Sequence, residues 1–332
     1  MTWTERRIVT FLTVIIGILG AALLLVLGMK YRENRTEAEI AAAAAIAEQE
    51  GSTCIALHYQ NGTAQLDFVC DEKGRWTWAA DDDFPLDDTN IKAILDTLST
   101  MTPHQIIETV ENPAVLELDA PTRSLTAVYD SGTEFTFSFG VTTPEGNSVY
   151  TIHNGEPAPV YIYSAEILRL MELGVYDMCD LPDFPVIERD RVQRVTVQGC
   201  ADETGTLPRF TMDATKREEN TIWKSDNITV TESARVQSLL EDLETMALAS
   251  CVSYRPSAEA AALCGFTAPT ATLWANYTST TDLEAHLQLV IGTPTLDGTA
   301  HYVRLTDDPT IYSISDEALD SILTISQSGF RG

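Results

Sequence analysis

Two stretches of the chain read as copies of one another, and this internal repetition constrains the fold more than any single residue does. Asp119-Ala120-Pro121-Thr122, with Leu125 and Tyr129, matches Thr267-Ala268-Pro269-Thr270, with Leu273 and Tyr277. Upstream, Ile91, Leu95, Leu98, Thr100 and Met101 correspond to Val236, Leu240, Leu243, Thr245 and Met246. Downstream, Gly140 and Tyr150 correspond to Gly292 and Tyr302, while Ser164, Glu166 and Leu168 correspond to Ser315, Glu317 and Leu319. The order is kept, and the spacing drifts by loop-sized steps around a period of about 150 residues, far beyond a solenoid repeat of roughly 20–50. Each copy is long enough to close a core of its own. The expected organisation is a tandem pair of domains.

A second constraint precedes both copies. Ile8 to Leu27 is an uncharged apolar run between Arg6-Arg7 and the basic group Lys30, Arg32 and Arg35. About 20 residues at ~1.5 Å rise cover the ~30 Å hydrocarbon core, and exceed the roughly 7–15 apolar residues of a signal peptide. Bulky side chains at Leu24, Leu25, Val26 and Leu27 leave no small-residue cleavage site. Residues 1–7 are read as a cytoplasmic start and 8–28 as an uncleaved transmembrane anchor. Residues 29–50, with Ala41 to Ala45 unbroken, are read as a helical stalk, since alanine is the best intrinsic helix former. Lys and Arg flank both ends of the span, so counting them does not orient it. Large domains translocate with little regard to charge, and the six cysteines and net charge of −28 favour a body outside the cytoplasm. So acidic a body is repelled by phosphates, which excludes nucleic acid as a partner.

The six cysteines fall in sequence as Cys54 and Cys70, Cys179 and Cys200, Cys251 and Cys264. Asn61-Gly62 is a hairpin signal, flanked by Ile55, Leu57 and Tyr59 and by Leu66 and Phe68 in period-two alternation. Such a hairpin sets Cys54 and Cys70 opposite or nearly opposite, as a cross-strand disulfide or as two free buried thiols. The other neighbours have no geometry behind their pairing. Zinc is disfavoured, because no C-x-x-C spacing or adjacent histidine accompanies these residues.

Along the chain the first domain is expected over 51–178, a linker over 179–189, the second domain over 190–327 and a tail over 328–332. Leu181-Pro182-Asp183-Phe184-Pro185 marks the join, since proline neither continues a helix nor donates to a sheet ladder. Each copy begins with strands ending in a tryptophan segment, at Arg75 to Trp78 or Thr221 to Lys224. A helix with apolar residues at three- and four-residue spacing follows, at Asp88 to Met101 or Glu232 to Met246. A short helix precedes the Ala-Pro-Thr element, alternating strands come next, and a helix capped by Ser164 or Ser315 closes the copy. Short loops between successive strands favour antiparallel pairing. The predicted class is α+β, with each domain a mainly antiparallel sheet carrying helices on one face.

The tryptophan strand, the helix ending at a hydrophobic-Thr-Met step, Cys264-Gly265-Phe266-Thr267-Ala268-Pro269, the strand end Ile291-Gly292, the later tyrosine strand and the closing helix together resemble a bacterial family, the domain of unknown function 4340. The first copy departs from the pattern at Glu117-Leu118-Asp119-Ala120-Pro121, where the glycine is lost, although Phe139-Gly140 survives. The resemblance runs over about residues 74–326 and rests on many loose positions. It implies an exported, membrane-tethered envelope protein whose relatives are encoded beside transporters of the ATP-binding-cassette type and gliding-type auxiliary proteins. It supplies no catalytic residues.

Candidate chemistry is sparse. Asp81-Asp82-Asp83 with Asp87-Asp88 is the densest carboxylate group, of the kind calcium takes, but its order does not fit an EF-hand loop. A solvated turn capping the Asp88 helix is the simpler reading. His58, His104, His153, His286 and His301 lack metal spacing, and no nucleophile elbow, Ser-x-x-Lys or phosphate loop occurs. No cofactor is expected. Trp76 and Trp223 hold equivalent places, as core anchors do, and Trp78 and Trp274 are the other candidates for an aromatic groove. The sequons at Asn61, Asn227 and Asn276 have no role in a bacterium. The expected function is a non-enzymatic, single-pass protein of the bacterial plasma membrane that binds another envelope or transporter protein. The alternatives are an extracellular module for a cation, peptide or glycan, and an unrecognised cell-wall hydrolase.

Overall fold

Asn61 and Ala64 face each other across a tight turn at Gly62-Thr63, closing the hairpin of β1 (Cys54–Asn61) and β2 (Ala64–Cys70). Gly62 takes φ +61°, the left-handed conformation such a turn needs and one that glycine adopts without a Cβ penalty. The computed structural model describes residues 52–201, 205–217 and 220–331. The predicted anchor 8–28 and stalk 29–50 lie outside the described residues. Among the described residues no helix is long and apolar enough to cross a membrane.

The chain divides into two units. The first holds the described residues up to Asp82 together with Asp88–Gly174, and the second holds Asp83–Asp87 with the chain from Val175 onward. In the first unit the hairpin is followed by β3 (Trp76–Trp78), α1 (Thr89–Thr100), β4 (Gln105–Ile107) and a 3₁₀ turn over Pro113–Leu116. Then come β5 (Arg123–Tyr129), β6 (Glu134–Thr142), β7 (Ser148–His153), β8 (Val160–Ser164) and the short α2 (Glu166–Leu170). The strands form one antiparallel sheet in the order β3-β2-β1-β5-β6-β7-β8-β4. Leu57, Phe68, Leu125, Phe137 and Phe139 of the sheet are buried, as are Ile91, Ile94 and Leu98 of α1, spaced three and four apart.

The second unit opens with 3₁₀ turns at Val175–Met178 and Arg189–Arg191. It continues through β9 (Val192–Gly199), β10 (Arg209–Arg217), β11 (Asn220–Ser225), β12 (Ile228–Thr229), α3 (Ala234–Thr245), β13 (Ser250–Ser253) and α4 (Ala258–Leu263). It ends with β14 (Ala271–Thr278), β15 (Glu284–Pro294), β16 (Ala300–Leu305), β17 (Ile311–Ser315) and α5 (Asp316–Ser328). The order is β12-β11-β10-β9-β14-β15-β16-β17-β13, again antiparallel. Alternate residues Val195 and Val197, Leu273 and Ala275, and Leu287, Leu289 and Ile291 form one apolar face. Val236, Leu239 and Leu243 of α3 and Leu319, Ile322 and Ile325 of α5 join the same core, and the two helices pack on each other. The architecture is mainly antiparallel sheet with few helices.

Three local expectations change. The segment 179–189, expected as a linker, belongs to the second unit: Ile187 is fully buried, and Leu181 and Phe184 pack on its core. Asp88 stands at the N-cap of α1, but its φ of −81° and ψ of 6° make no side-chain cap bond, and its carboxylate pairs with Lys92 at 2.7 Å. Ser315 caps α5 as expected, accepting from Ala318 N–H, whereas Ala165 is the N-cap residue of α2 and Ser164 Oγ accepts from Glu166 N–H at 3.3 Å.

Candidate functional site

Both sheets carry a glycine at a point of extreme backbone approach. A Cβ on Gly140 of β6 would stand 2.0 Å from the carbonyl oxygen of Leu116, and one on Gly292 of β15 would stand 2.0 Å from that of Cys264. Each carbonyl belongs to the turn that precedes an Ala-Pro-Thr element. In the first unit Glu117 N–H donates to Ala114 O at 3.1 Å and Leu118 N–H to Pro113 O at 3.2 Å. In the second, Gly265 N–H donates to Ala262 O at 3.0 Å and Phe266 N–H to Ala261 O at 3.1 Å. Glu117 adopts φ 55° and Gly265 φ 86°, so a glutamate in the turn of the first unit and a glycine in that of the second are held in the same left-handed region. The glycine carbonyls are also engaged: the Arg123 guanidinium donates to Gly140 O, and Thr270 Oγ1 donates to Gly292 O at 2.6 Å. Just before each of these carbonyls an aliphatic side chain is exposed, Val115 at 69% and Leu263 at 78%.

The carboxylate group expected over Asp81, Asp82, Asp83, Asp87 and Asp88 is brought together only in part. Asp81, Asp82 and Asp83 can set one oxygen each within 4.8 Å of one another, with Asp81 half-buried and the other two exposed. Three such oxygens fall short of the six to eight that calcium takes. Asp83 Oδ2 also accepts from Arg255 at 2.9 Å, while Asp88 is paired with Lys92. Asp87 N–H donates to Met178 O at 2.8 Å.

All six cysteines carry free thiols. Cys54 Sγ donates to Ala56 O at 3.3 Å and Cys70 Sγ to Asp71 O at 3.7 Å, so each bonds a nearby backbone carbonyl. Cys200 is exposed and Cys264 half-buried. The thiols of Cys179 and Cys251 also share a side-chain hydrogen bond, a juxtaposition that sequence spacing does not reveal.

The histidines sit in strands and loops. His58 Nδ1 lies 2.8 Å from Asp67 across the first hairpin, and His301 Nδ1 lies 2.7 Å from Asp316 at the start of α5. His153 is enclosed by aromatic rings: it stacks on Tyr161 at 3.9 Å, meets Phe135 and Phe137 edge-on, and its Nε2 lies 3.1 Å from the Tyr163 hydroxyl. Burial pushes the imidazole down to about 4 and the Tyr163 phenol upward. At neutral pH the pair is therefore an uncharged hydrogen-bonded contact inside the first sheet.

Trp76 and Trp223 are core anchors, at 6% and 2% exposure. A 440 Å³ cleft beside Trp223 is lined by Arg189, Asp190, Gln237 and Glu244, but the buried ring offers no platform to a sugar. The half-buried Trp274 ring is covered by the Arg209 guanidinium at 5.1 Å.

A family model described as Domain of unknown function (DUF4340) matches residues 76–269. The chain belongs to this family. The DUF4340 match starts at Trp76 in β3 and ends at Pro269 before β14, so it takes in α1, the Gly140 contact, the Cys179–Cys251 pair and the Gly265 turn. No curated protein and no solved structure matches the chain.

Proposed function

We propose that this DUF4340 protein is a non-enzymatic, membrane-anchored interaction subunit of the bacterial envelope, built from two tandem copies of one α+β unit and serving an ATP-binding-cassette transport system. The apolar run Ile8 to Leu27 supports the tether, and the family resemblance supports the setting. The duplication is supported by strand order. Replacing β3, β2, β1, β5, β6, β7, β8 and β4 by β11, β10, β9, β14, β15, β16, β17 and β13 turns the first order into the second, with β12 added at one edge. The matched pairs Leu116–Gly140 and Cys264–Gly292 support it again.

The observation that carries the interaction role is the equivalence of Val115 and Leu263. Each is an aliphatic side chain left in solvent on a turn that is otherwise locked to the sheet by its next carbonyl. A rigid turn presenting one apolar side chain has little entropy to lose on binding, and a tether that supplies two such turns raises the effective concentration of the second contact. Photo-crosslinking residues placed at 115 and 263 in the full chain, in native membranes, test the reading. Adducts to the membrane-spanning or extracytoplasmic subunits of a transporter are expected. Uncrosslinked chain alone at both positions would overturn it.

A further inference from the structure

We propose that Cys179 and Cys251 form a disulfide that ties the segment entering the second unit to the edge strand of its sheet. Cys179 follows the 3₁₀ turn Val175–Met178, which packs against β13, and it forms an antiparallel bridge with Leu86. Cys251 lies in β13 opposite Tyr312 of β17, at 4% exposure. Cys179 is half-buried against the same core and its sulfur faces that of Cys251 within hydrogen-bonding reach, with Asp180 O at 3.8 Å as a second neighbour. The two residues are far apart in sequence, so their thiols meet only because the turn and the edge strand pack together.

The shared hydrogen bond holds the Cys251 thiol below its ordinary range and the Cys179 thiol above it, so one sulfur of the pair loses its proton first. Oxidation proceeds by exchange with an acceptor of the disulfide class. The more exposed Cys179 sulfur, its proton passed along that hydrogen bond to the deprotonated Cys251 sulfur, attacks the acceptor disulfide, forms a mixed disulfide and releases one acceptor thiolate; Cys251 then gives up this proton. The Cys251 thiolate then attacks the Cys179 sulfur, closes the intramolecular bond and releases the second acceptor thiolate. Two electrons pass to the acceptor, and the two protons lost by the cysteines end on its sulfurs. The product bond closes a long loop, which restricts the unfolded chain. This inference stands whether or not the transporter reading holds.

The test uses the full chain in detergent, reduced and then oxidised with glutathione disulfide, alkylated under denaturing conditions and digested without reduction. The expected result is a linked peptide pair containing Cys179 and Cys251, lighter by two hydrogens than the reduced peptides, with alkylation lost at those two positions. A chain carrying Cys200→Ser and Cys264→Ser should give the same pair. Full alkylation of both Cys179 and Cys251 after oxidation, or linkage of Cys179 to Cys200 or of Cys251 to Cys264 in place of the expected pair, would overturn the proposal.

Discussion

Gly292 lies so close beneath the carbonyl of Cys264 that a single added carbon would stand 2.0 Å from that oxygen, and Gly140 stands in the same relation to Leu116. Both obstacles are backbone atoms, so relief requires moving a strand or a turn. Gly140→Ala and Gly292→Ala should each destabilise their unit by about 1–3 kcal/mol or more. At about 2–4 °C per kcal/mol for units of this size, calorimetry resolves the shift. An unchanged midpoint in either variant would show that the turn is not seated on the strand.

The turn itself gives a prediction of opposite sign. Glu117 holds φ 55°, where a Cβ costs about 1 kcal/mol, so Glu117→Gly should leave the first unit as stable or up to about 1 kcal/mol more stable. Gly265→Ala, at φ 86° and with its Cβ 2.7 Å from Thr293 Cγ2, should cost about 1–3 kcal/mol. Chemical denaturation of the two variants side by side checks the contrast.

His153 makes the first unit acid-sensitive. Its imidazole binds a proton near 6.5 when unfolded and at about 4 in the fold, so in between the unfolded chain holds more protons. Stability from this residue is complete above about pH 6.5 and declines as pH falls toward about 4, by up to about 3 kcal/mol at ~1.4 kcal/mol per unit. His153→Phe keeps a ring against Tyr161 and should flatten that slope. Denaturation midpoints measured from pH 7.5 to pH 4.5 decide it, and an unaltered slope in the variant would assign the sensitivity elsewhere.

The segment Asp83–Asp87 is held to the second unit by an aromatic side chain more than by charge. Phe84 is 4% exposed and meets Tyr176 and Tyr254 edge-on at 5.8 and 5.5 Å. The Asp83–Arg255 pair, though 2.9 Å long, is more than half exposed on both sides. Phe84→Ala should cost about 3–5 kcal/mol, and Arg255→Ala about 1 kcal/mol or less. Limited proteolysis near residue 85 and urea denaturation report both effects.

Much of the local structure was legible in the sequence because its causes are local. Asn61-Gly62 predicts the first hairpin, the three- and four-residue apolar spacing over Asp88 to Met101 predicts α1, and Trp76 and Trp223 are read as two buried anchors, all as found. The carboxylate run was legible as composition and not as geometry: Asp88 pairs with Lys92, Asp83 with Arg255, and three of the five oxygens group. Pro182 and Pro185 suggested a linker, yet Ile187 and Phe184 between and beyond them carry the chain into a core. Proline forbids helix and ladder hydrogen bonds but does not forbid burial.

The sequence by itself determined pattern: where turns fall and which face of a helix or strand is apolar. Only the tertiary structure decided which strands lie side by side, with β1 beside β5 and β9 beside β14, and therefore which carbonyl meets Gly292 and which thiol meets Cys251. The reason is physical. Alternation and helical spacing are written in neighbouring residues, whereas pairing between distant strands is chosen by the burial of a whole apolar face against the entropy of closing long loops.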